Sequence, residues 1–296
     1  MKRLKPFAYF EPQDLPGASN LLIEQGEGAY LLAGGTDLLV RMKRGEISPS
    51  TLINLKRIQG LNGIERKPEE ALSIGALTPI SMLVQSSLIQ SESPVLSQAA
   101  GLLGSPSIRN LATLGGNIGR ASPASDMAPP LMALTARVSV EGPGGKRELP
   151  LEAIFAGPGK TTLKPGEVMT SFRVPKMPSH SAAAYLKLGR REGMDLALVG
   201  VAVFLKLDEK GETTEARIAL ASVAPIPIRA RKAEEELLSG PMTGDRVRRA
   251  ALAAVSDSCP LSDMRASASY RKEMTRVLVS RAIEEARRMA KGGIVH

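Results

Sequence analysis

Two paired-glycine segments constrain this chain more than any other feature. The first is Leu31-Leu32-Ala33-Gly34-Gly35-Thr36-Asp37-Leu38-Leu39, and the second is Thr113-Leu114-Gly115-Gly116-Asn117-Ile118. Each follows a short apolar run and carries a hydroxyl with an amide or carboxylate nearby, a pattern suited to backbone N–H groups facing a phosphate. In the first, the apolar run reads as a strand and Leu38 to Arg44 as a short helix, with Thr36 or Asp37 as its cap. A lone Gly-Gly is ordinarily a tight turn. Two copies, each with its own polar companions, point to a diphosphate held from two sides.

The familiar phosphate and hydrolase signatures fail. Gly157-Pro158-Gly159-Lys160-Thr161 ends like a P-loop, but the leading glycine position holds Ile154. Neither glycine pair has the G-x-G-x-x-G spacing of a dinucleotide-binding Rossmann turn. No Gly-x-Ser-x-Gly elbow occurs, and His180 sits in a proline-bounded linker. A diphosphate would therefore lie between two separate turns of another scaffold.

With 296 residues the chain is long enough for two or three compact units. Aromatics are 3% and Trp is absent, so aliphatic side chains fill the interior and stacking platforms for single-stranded nucleic acid are lacking. The net charge of +9 is spread along the chain, with small clusters at Arg41 to Arg44, Arg229 to Lys232 and Arg287 to Lys291. These read as solvated helix faces rather than a nucleic-acid surface. The single cysteine, Cys259, allows no internal disulfide and no Cys-x-x-Cys. His180 and His296 are far apart, so no metal site is expected. Met1-Lys2-Arg3 is not followed by an apolar stretch, and the charge-free Ala71 to Ser91 is too polar to span a membrane. A cytoplasmic setting is expected.

Taken in order, Asp14 opens a helix that Gly26 and Gly28 close, and Tyr30 to Ala33 and Thr51 to Leu55 read as buried strands. Leu72 to Ile74 is a strand, Thr78 caps a helix starting at Pro79, and Pro94 to Leu103 is a helix. Pro123 suits a first helical position after Ser122. Arg137 to Glu141 and Lys146 to Leu149 form a hairpin, and Val168 to Val174 is a further strand. Val199 to Leu207 and Arg217 to Val223 form a second hairpin; Ala233 to Leu238 and a C-terminal stretch stopped by Gly292-Gly293 are helical.

The two glycine motifs, with Ser122-Pro123-Ala124-Ser125-Asp126 after the second, resemble the FAD-binding middle subunit of the molybdenum hydroxylases, the carbon monoxide dehydrogenase and xanthine dehydrogenase group. The resemblance begins at Phe7-Ala8-Tyr9-Phe10-Glu11-Pro12. It runs through Ile74-Gly75-Ala76-Leu77-Thr78 and Ser107-Ile108-Arg109-Asn110 to Asp263-Met264-Arg265 and Tyr270-Arg271. It implies an α+β protein: a vanillyl-alcohol-oxidase-type (PCMH) FAD-binding fold of two α/β subdomains, residues 1–56 and 57–178, plus a C-terminal α+β domain, 179–296.

It also implies which residues meet the FAD. Leu32, Ala33, Gly34, Gly35, Thr36, Asp37 and Leu38 would line the pyrophosphate with Thr113, Leu114, Gly115, Gly116 and Asn117, the Thr36 hydroxyl and Asn117 acting as neutral donors. Ser122 and Asp126 would lie on the polar side, Asp126 toward ribityl or ribose hydroxyls, although by itself it reads as a helix-start carboxylate. Leu103 falls where relatives place an aromatic against the adenine, and Leu163 where a residue touches the flavin ring. The stretch Tyr185 to Ala197, with Lys187, Arg190, Arg191 and Asp195, would form a loop over the isoalloxazine. Lys187 is the candidate cation beside the flavin, and a surface ion-pair cluster is the alternative.

The implied function is an oxidoreductase subunit without catalytic acid, base or metal of its own. It would relay electrons from 2Fe-2S clusters of a small partner subunit, themselves supplied by a molybdopterin-containing large subunit, to an external acceptor. The assembly would be a dimer of heterotrimers, with no nucleic acid and no membrane insertion. Two rival readings are a standalone FAD oxidoreductase acting directly on a small molecule, and a non-catalytic nucleotide- or nucleic-acid-binding protein.

Overall fold

The fold is described from a computed structural model, for residues 4–68, 71–191 and 193–292. Met1, Lys2, Arg3, Glu192, Gly293 and His296, all used in the sequence reading, lie outside the described residues.

Three main sheets follow one another along the chain, and a two-stranded ribbon, Phe155–Gly157 with Lys160–Thr161, accompanies the second. The first has strands Ala8–Phe10, Thr51–Asn54 and Ala29–Leu32 in that spatial order, all parallel. Its central strand is buried at every position, as expected of a parallel strand covered on both faces. The crossover helix Leu15–Gln25 starts where the sequence signals it. Asp14 accepts from the Gly17 amide at 2.8 Å, Pro16 sits in the first turn, and Gly26 ends the helix at φ 62°.

The second sheet runs Ile64–Arg66, Leu72–Gly75, Val168–Val174, Arg137–Gly142 and Gly145–Pro150, antiparallel throughout. Val168–Val174 enters between two strands that precede it in the chain, so this sheet closes only after the second glycine segment has been laid across it. Thr78 does not cap the following helix. Pro79 holds that position, while the Thr78 hydroxyl donates to Gly63 O and accepts from Gly63 N, each at 3.0 Å. Nor does Pro123 start a helix. Residues 122–125 form a turn and the helix is Ala128–Ala133, its Ala128 amide held by the Ser125 hydroxyl at 3.3 Å.

The third sheet is Ser181–Leu188, Val199–Leu207, Thr213–Ala221 and Ile228–Arg229. Alternation along its strands explains the architecture. Val199, Val201, Val203 and Leu205 pack on the helices Arg231–Leu238, Gly244–Asp257 and Ala268–Gly292. The opposite face, with Ala183, Tyr185, Ala202, Phe204 and Ala219, joins the core of the second unit. The sheet is therefore sandwiched, which is how Tyr185 becomes fully buried. Helix Gly244–Asp257 and strand Ser181–Leu188 have no counterpart in the sequence reading. The strand is Ser-Ala-Ala-Ala-Tyr-Leu-Lys-Leu, without a β-branched residue, so local propensity gives no signal for it.

Candidate functional site: a cradle between two glycine segments

The first segment behaves as a bend between the strand Ala29–Leu32 and the helix Leu38–Arg44. Gly35 is left-handed at φ 74°. A Cβ on Gly34 would stand 2.1 Å from Leu111 O and 2.9 Å from Ala112 Cα, so only glycine allows this bend to touch the chain leading into the second segment. Among the described residues, the amides of Gly34, Gly35, Thr36 and Asp37 make no hydrogen bond. Four successive free donors curled around a left-handed glycine suit an anionic oxygen ligand. Asp37 occupies the cap position, yet its side chain caps nothing. Its carboxylate instead meets Arg120 Nε at 2.7 Å and Arg41 Nη1 at 3.9 Å.

The second segment is not a turn. It is the start of a one-and-a-half-turn helix, Leu114–Gly119, capped by Thr113, whose hydroxyl accepts from the Gly116 amide at 3.0 Å. Its other early amides are also engaged. Leu114 N donates to Thr78 O at 3.0 Å, Gly115 N to Ala76 O at 2.7 Å and Asn117 N to Thr113 O at 2.9 Å. The expectation of free backbone donors from this side is therefore corrected. What this segment offers is close approach and the Asn117 side chain. A Cβ on Gly115 would fall 2.7 Å from Ala76 O, and one on Gly116 would lie 3.8 Å from Ala33 Cβ, which brings the two segments face to face. Asn117 Oδ1 accepts from Ser125 Oγ at 2.6 Å, leaving the Asn117 NH2 group to donate. Ser122 Oγ is spent on the Ala124 amide at 3.2 Å.

Asp126 and Lys187 are paired with each other. Asp126 Oδ2 accepts from Lys187 Nζ at 2.9 Å and Oδ1 from the Tyr185 hydroxyl at 3.0 Å; Lys187 Nζ also reaches Leu102 O at 3.0 Å. The two charged side chains are 8% and 7% exposed. Burial raises the Asp126 carboxyl above its ordinary range against the pull of Lys187 and Tyr185, and burial beside that carboxylate pushes the Tyr185 phenol well up. Lys187 is thus not part of a surface ion-pair cluster. It is half of a buried pair joining the second and third units. Tyr185 carries the geometry: two residues before Lys187, it shares that residue's strand face, a placement invisible in the sequence because the strand itself carries no local signal. Its hydroxyl has room because the neighbouring strand places Gly200 there, where a Cβ would come within 3.0 Å.

Leu103 is buried in the second unit's core and Leu163 packs partly buried against it. The stretch expected as a loop is half strand: residues up to Leu188 pair with the next strand, and the loop proper starts at Gly189. Asp195 holds it together, accepting from Arg190 N at 2.5 Å and Leu196 N at 3.1 Å, while Met194 N reaches Gly104 O at 3.3 Å on the second unit. Among the described residues, no group of three or more His, Cys, Asp or Glu side chains could hold a metal ion, and no helix is long and apolar enough to cross a membrane.

Comparison with known proteins identifies the family of the chain. Residues 5–177 match the FAD binding domain in molybdopterin dehydrogenase, and residues 183–286 match the CO dehydrogenase flavoprotein C-terminal domain. The chain is 37% identical over 281 residues to the carbon monoxide dehydrogenase medium chain of Hydrogenophaga pseudoflava, covering 95% of this chain and 96% of that one. It is 32% identical over 280 residues to the xanthine dehydrogenase FAD-binding subunit of Escherichia coli O157:H7, covering 94% and 95%. A solved structure of the Hydrogenophaga pseudoflava carbon monoxide dehydrogenase superposes with a TM-score of 0.93 at 37% identity, over 96% of this chain and 98% of that chain. Quinoline 2-oxidoreductase from Pseudomonas putida 86 superposes with a TM-score of 0.90 at 26% identity, over 98% and 99%.

Fold and matched domains together define a flavin-dinucleotide-binding subunit of an oxidoreductase. The chain belongs to the family of FAD-binding subunits of the molybdenum hydroxylases, and its cofactor is FAD.

Proposed function

We propose that this chain is the electron-relay subunit of a molybdenum hydroxylase. In this reading it takes electrons from 2Fe-2S clusters of a small partner subunit, which a molybdopterin-containing large subunit supplies, and delivers them to an external acceptor. The assembly is a dimer of heterotrimers. The observation that supports this most is the meeting of the two glycine segments, with four free amides on one side and the Asn117 amide group on the other.

Bound FAD supplies reversible redox chemistry that links one-electron and two-electron carriers. This chain's part is to bind and orient it. The amides of Gly34 to Asp37, the Thr36 hydroxyl and the Asn117 NH2 are the groups available to the diphosphate. The tight contacts of Gly34 and Gly115 with neighbouring backbone set the width of the cradle. Leu32, Ala33, Leu38, Thr113, Leu114 and Gly116 shape its walls. Leu103 and Leu163 are the aliphatic contacts for the ring systems, in place of stacked aromatics. Asp126 and Lys187 fix the junction behind the flavin side.

The test is purification of the full chain followed by a visible spectrum, and affinity capture of its partners from the native host. Yellow protein with flavin bands, co-purifying with subunits that carry molybdenum and iron–sulfur clusters, is expected. A colourless chain that takes up no added FAD overturns the reading. A yellow chain that captures no such subunits and oxidises a small molecule alone replaces the relay with a standalone oxidoreductase.

A further inference from the structure

We propose that Arg120 is a diphosphate-binding residue of the FAD site, so that the cradle is closed by a cation as well as by amides. The inference rests on the FAD reading above and names a ligand outside both glycine motifs. Arg120 follows the helix Leu114–Gly119 directly, on the second segment, and reaches across to the first. Its Nε, buried, stands 2.7 Å from Asp37 Oδ2 without the alignment of a hydrogen bond. Among the described residues its terminal nitrogens donate to nothing. Nη1 lies 3.2 Å from where a Cβ on Gly159 would sit, and Gly159 N donates to Ala121 O at 2.9 Å. The segment Gly157-Pro158-Gly159, which ends like a P-loop without being one, therefore serves to give the guanidinium a close floor.

The charge balance requires such a group. Asp37 directly adjoins the free amides of Gly34 to Thr36, and an uncompensated carboxylate there would repel an anionic diphosphate. Arg120 and, more distantly, Arg41 neutralise it. Asp37 in turn aims the guanidinium, which leaves its two NH2 groups for planar, paired recognition of phosphate oxygens. The Arg120 side chain is 34% exposed, so it is accessible and still partly shielded from solvent screening.

The experiment uses the full chain, stripped of flavin and titrated with FAD by fluorescence quenching at low and high salt, with ADP as competitor. Arg120→Ala and Arg120→Gln are expected to weaken FAD by about 10- to 100-fold, the loss of a charged hydrogen-bond pair. ADP should weaken by a similar factor, because it shares the diphosphate and lacks the flavin. Both variants should show a flattened salt dependence, whereas Asp37→Asn keeps it and Arg120→Lys restores it in part. An apo melting temperature like the parent's shows that the fold is intact. FAD binding within about twofold of the parent, or a loss for FAD with none for ADP, overturns the proposal. Equal flattening in Asp37→Asn and Arg120→Ala also overturns it, since Arg120 would then be only a structural tie. If the parent chain itself binds no FAD, the functional reading fails and not this assignment alone.

Discussion

Lys187 Nζ lies 2.9 Å from Asp126 Oδ2, and this contact joins a strand of the third sheet to the turn that follows the second glycine segment. Removing one partner leaves the other buried without compensation. Lys187→Ala should therefore cost about 3–5 kcal/mol in urea unfolding, whereas the double variant Lys187→Met with Asp126→Asn should recover most of it. A cost below about 1 kcal/mol for the single variant would return this pair to the class of surface ion pairs.

The same pair has a pH signature. Asp126 is raised in the folded state by burial, with Lys187 as the strongest opposing influence. A folded value above the unfolded one means the native state holds the extra proton. The contribution is full below the unfolded value and is lost as pH rises through the folded one. Lys187→Ala raises Asp126 further, so its destabilisation should be larger at about pH 8 than at about pH 5. Equal losses at both would show that Asp126 does not titrate across that window.

Glycine substitutions should sort by geometry. Gly34→Ala and Gly115→Ala place a methyl within 2.8 Å of backbone atoms of Leu111 and Ala76, and Gly35→Val adds strain at φ 74°. All three should lose FAD at purification, as should Gly116→Val, whose branches enter the gap to Ala33. Gly101→Ala, in the helix Pro94–Leu102 with open space around it, should keep FAD and gain about 0.5–1 kcal/mol. Absorbance ratios of purified variants and their unfolding curves decide this.

Thr113 is the cap that fixes the second segment as a helix. Thr113→Ala should cost about 1 kcal/mol, and Thr113→Ser should preserve stability because Oγ still accepts from Gly116 N. Urea midpoints at constant slope are the measurement.

Asp263 supports a buried arginine. Arg271, 2% exposed, donates from Nη1 to Leu198 O at 2.7 Å and Ser222 O at 3.2 Å, and from Nη2 to Asp263 Oδ1 at 2.9 Å. Against its own desolvation, the hydrogen bonds from Arg265, Ala266 and Arg271 hold Asp263 far below the usual carboxylate range. Its contribution is present above the unfolded value and lost as pH falls through the folded one. Asp263→Asn should thus lower stability at neutral pH and lessen the further loss on acidification. An unchanged acid limb would remove Asp263 from that role.

Much of this was legible in the residues. Asp14, the hairpin of Arg137–Gly142 with Gly145–Pro150, the apolar alternation of Val199–Leu207 and the helical spacing of Ala268–Gly292 each carry a local signal, and each sits where that signal places it. The strand Ser181–Leu188 was not legible, because three successive alanines favour a strand only where a sheet is waiting on one edge. The capping of Leu114–Gly119 was hidden for a related reason. Gly-Gly disfavours helix, and it holds here because Thr78 O and Ala76 O accept the first amides from outside the helix.

The sequence alone determined that two glycine pairs with polar neighbours would let backbone approach backbone closely, since small residues are a local property. Tertiary structure alone decided which of their donors are free, because an amide's availability depends on carbonyls distant in the chain. It also decided that Asp126, Tyr185 and Lys187 form one buried cluster. Residues 59 and 61 positions apart are brought together by a sheet covered on both faces, where a charge without a partner would be too costly to keep.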